Sequence, residues 1–242
     1  KISGMVKIFK HTGGGKWTQL GDAIQGKDPS HQDGCGAERG VALSADGTIV
    51  AVASPYARGK ASFHPDGKAG NVRIFKWSGT AWVQRGADIN GKEQSEQSGY
   101  SISLSSDGNI VAIGAIGIDN KNGPYNTNNI DTGGARIYAW NGAAERYEQR
   151  GATIKGTEFM DYDGWDVKLA SNGQIVAMSS PFIDPMKGGV KQYMAGGVSV
   201  FKWSGKAWAQ LGKEINGDKG DEAGSSIALS ADGTILAVGA VM

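Results

Sequence analysis

A unit of about sixty-five residues repeats four times along the chain and constrains its fold more than any other feature. It reads G-x-V-x-I-F-K, then W-x-Q-x-G-x-x-I-x-G, then a glycine-led V-A-L-S-A-D-G, then T-I-V-A-V-G-A. Its leading glycine is placed at Gly4, Gly70, Gly134 and Gly197, giving spacings of 66, 64 and 63 residues. The aromatic recurs at Trp17, Trp82, Tyr147 and Trp208, and the Gln-x-Gly step at Gln19, Gln84, Gln149 and Gln210. The turn glycine recurs at Gly47, Gly108, Gly173 and Gly233. A period of this size means stacked or radially arranged units, each unable to bury its apolar face alone.

Each unit contains four short strand signals. In the second unit they fall at 71–76, 82–89, 100–105 and 109–115, with β-branched residues at Val72, Ile74, Ile110, Val111 and Ile113. Ser106-Asp107-Gly108 and its equivalents are tight hairpin signals. No useful stretch has a 3.6-residue period. The expected fold is all-β, a β-propeller of four-stranded antiparallel blades. Residues 1–242 read as one propeller domain or part of one, with repeats at about 4–69, 70–133, 134–196 and 197–242. The repeats either close a four-bladed ring or form an arc of a larger one of about seven blades. Two connections per unit are tight hairpins and two are long, and the long ones are expected on one face of the disc. Recognition residues usually sit on such loops.

Composition removes several classes. With 25 basic and 24 acidic residues, the chain has no basic stretch to grip nucleic acid. No apolar run is long enough to span a membrane. The single cysteine, Cys35, excludes an intramolecular disulfide.

The run Gly99–Ala115, followed by G-A-R-I-Y at Gly134–Tyr138, resembles the FG-GAP repeats of integrin α subunits and other cell-surface propellers. The resemblance implies an extracellular or cell-surface setting and a role in adhesion or assembly. Calcium is the family's usual ion, but Ser-x-Asp-Gly offers too few oxygens here for the FG-GAP calcium loop. No cofactor is firmly implied.

Candidate site residues fall in the long loops. Asp119, Asn120, Asn122, Tyr125, Asn128 and Asp131 form a loop rich in amide and carboxylate oxygens, suited to sugar hydroxyls. Trp165 is the one tryptophan outside the repeat pattern, and Tyr193 is an exposed-aromatic candidate with Tyr56, Phe63 and His64. An acid precedes each strand-leading glycine by three positions, at Asp33, Glu96, Asp161 and Asp221. Recurrence favours carboxylates that shape their own loops, with Asp161, Asp163 and Asp166 the candidate metal set. The recurrent tryptophans read as packing between blades or across hairpins. Gly21–Lys27 and Gly86–Lys92 mimic P-loops, but Asp28 and Glu93 stand where Ser or Thr would be needed. His31, Asp33 and Cys35 read as loop. No nucleophile elbow or metalloprotease motif is present. The reading is therefore a non-catalytic propeller, not an enzyme, that binds a protein or glycan through its long-loop face. An architectural subunit is the alternative, and an enzyme using the ring's central mouth is a third reading.

Overall fold

The computed structural model describes residues 4–27, 39–58, 67–119, 131–156 and 160–241. All regular structure among them is β, with no helix. Three complete antiparallel sheets follow one another along the chain. The first orders Val41–Leu43, Ile49–Ser54, Asn71–Trp77 and Trp82–Gln84. The second orders Ser101–Leu104, Ile110–Gly114, Gly134–Asn141 and Arg146–Gln149. The third orders Val167–Leu169, Ile175–Ser180, Gly197–Trp203 and Trp208–Gln210. Before them stand the pairs Met5–Val6 with Ile24–Gln25 and Phe9–His11 with Trp17–Gln19. After them comes the hairpin Ser226–Leu229 with Leu236–Gly239. These four-stranded leaves are the architecture of propeller blades.

One expectation needs correction. The stretch 82–89 is not one strand, because Trp82–Gln84 and Ile89–Asn90 are separate and both pair with Asn71–Trp77. Phe75 faces Gln84 and Val72 faces Ile89, so the outer edge carries two extra residues, a bulge. The same step occurs in every sheet with an outer edge: Phe9 faces Gln19 while Val6 faces Ile24, and Tyr138 faces Gln149 while Ala135 faces Ile154. This explains the Gln-x-Gly motif. Gly86 adopts φ +79°, which only glycine takes cheaply, and the Gln84 amide donates to the Gly86 carbonyl at 3.1 Å. Gln19 and Gln149 lock Gly21 and Gly151 in the same way, at 2.9 and 3.0 Å.

The leading glycines also shift by one in two repeats. Gly4, Gly70, Gly133 and Gly196 share φ between 68° and 77°, so Gly133 and Gly196, rather than Gly134 and Gly197, occupy the equivalent positions. Backbone approach is close here: Gly70, Gly133 and Gly196 form parallel bridges to Ser98, Asp163 and Ala223. The bridges bring the two classes of long loop together on one face.

Alternation along each strand splits the core into layers between sheets. Val50, Val52 and Phe75 pack with Val6, Ile8 and Ile24 of the preceding unit. Their neighbours Ala51, Ala53, Val72 and Ile74 pack the other way, with Val111, Ile113 and Tyr138 of the next. Ala112, Ile137, Val167, Val176 and Met178 repeat the arrangement one sheet on. Burying each Val or Ile contributes about 1.5–3 kcal/mol before entropy is charged.

The hairpins hold by short-range polar contacts. The Asp46 carboxylate accepts the Thr48 N–H at 2.9 Å and the Ser44 hydroxyl at 2.6 Å, while Ser44 Oγ accepts the Ile49 N–H. Asp107 and Asp232 repeat this. The Ser44 hydroxyl and Thr48 contacts hold the Asp46 carboxyl down at about 2. The tryptophans pack across hairpins and between sheets. Trp77 and Trp82 lie 5.3 Å apart, Trp82 Nε1 donates to Leu20 O of the preceding unit, and Trp208 Nε1 donates to Arg150 O.

Candidate functional site

The junctions between sheets differ where the third strand carries its polar residue. Lys7, Arg73, Arg136 and Ser199 occupy equivalent positions. Arg73 donates to the Gln25 carbonyl at 2.7 Å. Arg136 reaches back toward the first sheet and forms a two-armed ion pair with Glu96, with donor distances of 2.9 and 2.5 Å. Its Nε donates to Thr153 Oγ1 at 3.2 Å. Glu96 is 1% exposed and also accepts the Lys92 N–H at 2.7 Å. That junction is closed by one guanidinium.

At the next junction Ser199 replaces the arginine, and a cleft of about 510 Å³ stands there. Asp161 holds the place of Glu96, Glu214 the place of Thr153, and Asp163 the place of Ser98. All three acids line the cleft, with Ser199, Gln210, Lys155 and the apolar wall of Met178, Ile183, Phe201 and Trp208. Ser199 Oγ donates to Glu214 at 3.2 Å. Gln210 departs from the other bulge glutamines and donates to Ser199 Oγ at 3.4 Å.

Asp163 is the electrostatic centre of the cleft. Its side chain accepts the Ser180 hydroxyl at 2.7 Å, and its N–H and carbonyl are fixed by Thr132 and Gly134. Burial pushes its carboxyl up to about 8, and the negative charges of Asp161 and Glu214 add to the rise. Burial thus favours its protonated form.

The expected site residues scatter. Asp161 and Asp163 share the cleft, but Asp166 does not. It turns to Lys168 at 2.6 Å and Arg39 at 3.8 Å and accepts the Ile227 N–H. Among the described residues, no three His, Cys, Asp or Glu side chains are grouped to hold a metal ion. Trp165 packs over the inner strands, 5.0 Å from Tyr100 and 5.3 Å from Phe182, with Arg39 5.7 Å from its ring. Tyr193 is exposed and stands alone from the cleft, 5.6 Å from the Lys191 ammonium. Asp119 and Asp131 bridge each other at the base of their loop, and burial with the Asp119 charge raises the Asp131 carboxyl. Asn120, Asn122, Tyr125 and Asn128 lie outside the described residues, as do His31, Asp33, Cys35, Phe63 and His64. Glu96 and Asp221 each accept a backbone N–H of their own loop. Ser199, Glu214 and Ser180 escaped the sequence reading, and Gln210 entered it only as part of the repeat. Ser199 and Glu214 carried a signal as breaks in the repeat, where Arg136 becomes Ser and Thr153 becomes Glu.

No family model matches the chain, and no curated protein matches its sequence. Solved structures do. A "putative 6-phosphogluconolactonase" from Bacteroides uniformis ATCC 8492 matches with TM-score 0.57 at 13% identity, over 97% of this chain and 57% of its own. One of the same name from Bacteroides fragilis NCTC 9343 gives the same figures. A protein from Lactobacillus plantarum matches with TM-score 0.58 at 14% identity, over 98% and 57%. The chain thus spans little more than half the length of these neighbours, and at such identity the likeness carries the fold alone.

These neighbours correct the FG-GAP resemblance. Its motifs are hairpin and strand signals that any four-stranded antiparallel leaf uses, as the Asp46, Asp107 and Asp232 turns demonstrate, so they specify the blade and not the family. The extracellular or cell-surface setting rested on that resemblance and is withdrawn with it. The expectation of a non-catalytic adhesion or architectural protein is contradicted by the lactonase names of two of these neighbours, and is not carried further.

Proposed function

We propose that the chain is part of a propeller hydrolase that opens a small ester or lactone in the cleft between the second and third sheets. One observation carries this reading: a buried carboxyl, Asp163, set beside two other acids in an open cleft, where burial raises its proton affinity. Carboxyl groups whose environments set their proton affinities apart divide the roles of acid and base. In the proposed reaction Glu214 takes a proton from water as the oxygen adds to the acyl carbon. The acyl C–O bond then breaks, and Asp163 gives its proton to the departing alkoxide. The products are a hydroxyl group and a carboxylic acid. The lactonase names of two structural neighbours support the same class.

A phosphorylated substrate fits the cleft poorly. Among the described residues, Asp161, Asp163, Asp184 and Glu214 line it against a single cation, Lys155, which already donates to the Asp119 carbonyl. The proposed substrate is therefore uncharged or cationic. Purified protein should hydrolyse an unphosphorylated aldonolactone or an activated acetate ester above background. Asp163→Asn should lower kcat/KM by about 100-fold or more, while Asp46→Asn, in a remote hairpin, leaves it unchanged. Equal rates for wild type and Asp163→Asn would remove the reading.

For the ring, we infer that these sheets form an arc of a larger propeller, all in one domain. In support, among the described residues Leu236–Gly239 pairs with Ser226–Leu229 alone, and no register joins it to the first strands. A solution scattering profile fitting a closed four-leaf disc would contradict this.

A further inference from the structure

The repeat contains its own template for what the cleft accepts. At the closed junction a guanidinium lies between Glu96 and Thr153, held by two donors to the carboxylate and one to the hydroxyl. At the open junction each wall position is retained or made more acidic: Asp161 for Glu96, Glu214 for Thr153, Asp163 for Ser98. Only the arginine itself is gone, shortened to Ser199. The cleft opens where that side chain would have run. Its apolar wall, including the Trp208 ring, suits the flat face of a guanidinium, which is weakly hydrated and stacks on aromatics.

We infer that the cleft binds a guanidinium group supplied from outside the chain, seated between Asp161 and Glu214 as Arg136 is seated between Glu96 and Thr153. A small guanidine and the arginine side chain of a peptide share this chemistry. Asp161 and Glu214 already have contacts within the protein, so the incoming group exchanges with these rather than filling bare space. A guanidinium seated there occupies the carboxylate that the proposed reaction uses as base, so the inference is one of binding and does not rest on the hydrolase reading.

The test is calorimetric titration of the whole chain with two probes, agmatine and an acetyl-Gly-Arg-Gly amide, against putrescine as a guanidinium-free diamine. Wild type should bind at least one guanidine probe saturably, and roughly tenfold or more tighter than putrescine, the worth of charged hydrogen bonds matched in geometry. Agmatine alone would mark a small-molecule site, and the peptide alone or both an arginine side chain as ligand. Ser199→Arg rebuilds the closed junction from within and should abolish binding while leaving the melting temperature unchanged or raised. Should that variant not fold, Glu214→Gln takes its place and should weaken binding by about tenfold. Absence of saturable binding to wild type, a preference for putrescine, or full binding by folded variants would each overturn the inference. Lactone hydrolysis without guanidine binding would sink this inference and spare the hydrolase reading. Binding without any hydrolysis would do the reverse.

Discussion

At the junction of the first and second sheets a guanidinium fills the space that stands open at the junction of the second and third. The strands, bulges and hairpins on either side are nearly superimposable in sequence. The difference comes down to Arg136 against Ser199, with Glu96, Thr153 and Ser98 answered by Asp161, Glu214 and Asp163. The closed junction spends its polar groups on one another and is a structural joint. The open one leaves acids facing a cleft, with the proton affinity of one of them raised by burial. In a repeat protein the shared residues build the scaffold, and chemistry is sought where one copy departs from the others.

The comparison breaks most directly by deletion. Arg136→Ala strands the Glu96 carboxylate, 1% exposed, and should cost about 3–5 kcal/mol. Ser199→Ala should stay within about 1 kcal/mol. Urea unfolding measures both, and equal losses would mean that the two junctions are not different in kind. Next in size is the pH response of Asp163. Its folded proton affinity lies above that of the unfolded chain, so the unfolded state releases the proton first. Stability therefore falls as pH rises from about 4 toward about 8 and levels off beyond. Asp163→Asn should flatten that slope by several kcal/mol, on the order of 1.4 kcal/mol per pH unit in between. Asp161, Glu214 and Asp184 face the same cleft, and the window's lower end is the ordinary carboxyl value of Asp163 in the unfolded chain. A melting series between pH 4 and 8 reads the slope, and parallel curves for the two proteins would refute the assignment.

Two smaller effects locate what the repeat shares. Trp208→Phe removes the bond to Arg150 O at the open junction, and Trp82→Phe the equivalent bond to Leu20 O at the junction before the first sheet. Each should cost about 1 kcal/mol, and unequal losses would show that this bond is not a common scaffold device. Smallest of all, the hairpin carboxyls Asp46 and Asp232 are held down at about 2 by their serine and threonine neighbours. Their contribution is present above pH 4 and is lost as pH falls through about 2. Both are exposed, so Asp232→Asn should alter acid unfolding only slightly, and a large shift would show the turn to be more than a local device.

The all-β class, the hairpin turns and the packing role of the tryptophans were legible because each depends on residues close in sequence. Ser-x-Asp-Gly makes its own turn, and Trp77 meets Trp82 across five residues. The bulge was legible as a motif but not as a shape, because Gln84 and Gly86 reveal their pairing only against Asn71–Trp77. The cleft was half legible. Asp161 and Asp163 drew notice as loop acids, but Asp166, three residues on, points to Arg39 and Lys168 instead. Glu214 lies far along the chain and joins them through the third dimension alone. Ser199 was invisible as a residue of interest, since nothing about a serine announces the arginine it replaces.

The outer-edge bulge has a consequence for how such a chain can change. Because it adds two residues, Ile24, Ile89 and Ile154 keep the parity of the strand they pair with and stay in the interior, 5%, 8% and 8% exposed. Gain or loss of a single residue there would invert the rest of the edge and turn those isoleucines toward water. Length variation at this place is thus quantised: homologous copies should differ in steps of two or not at all.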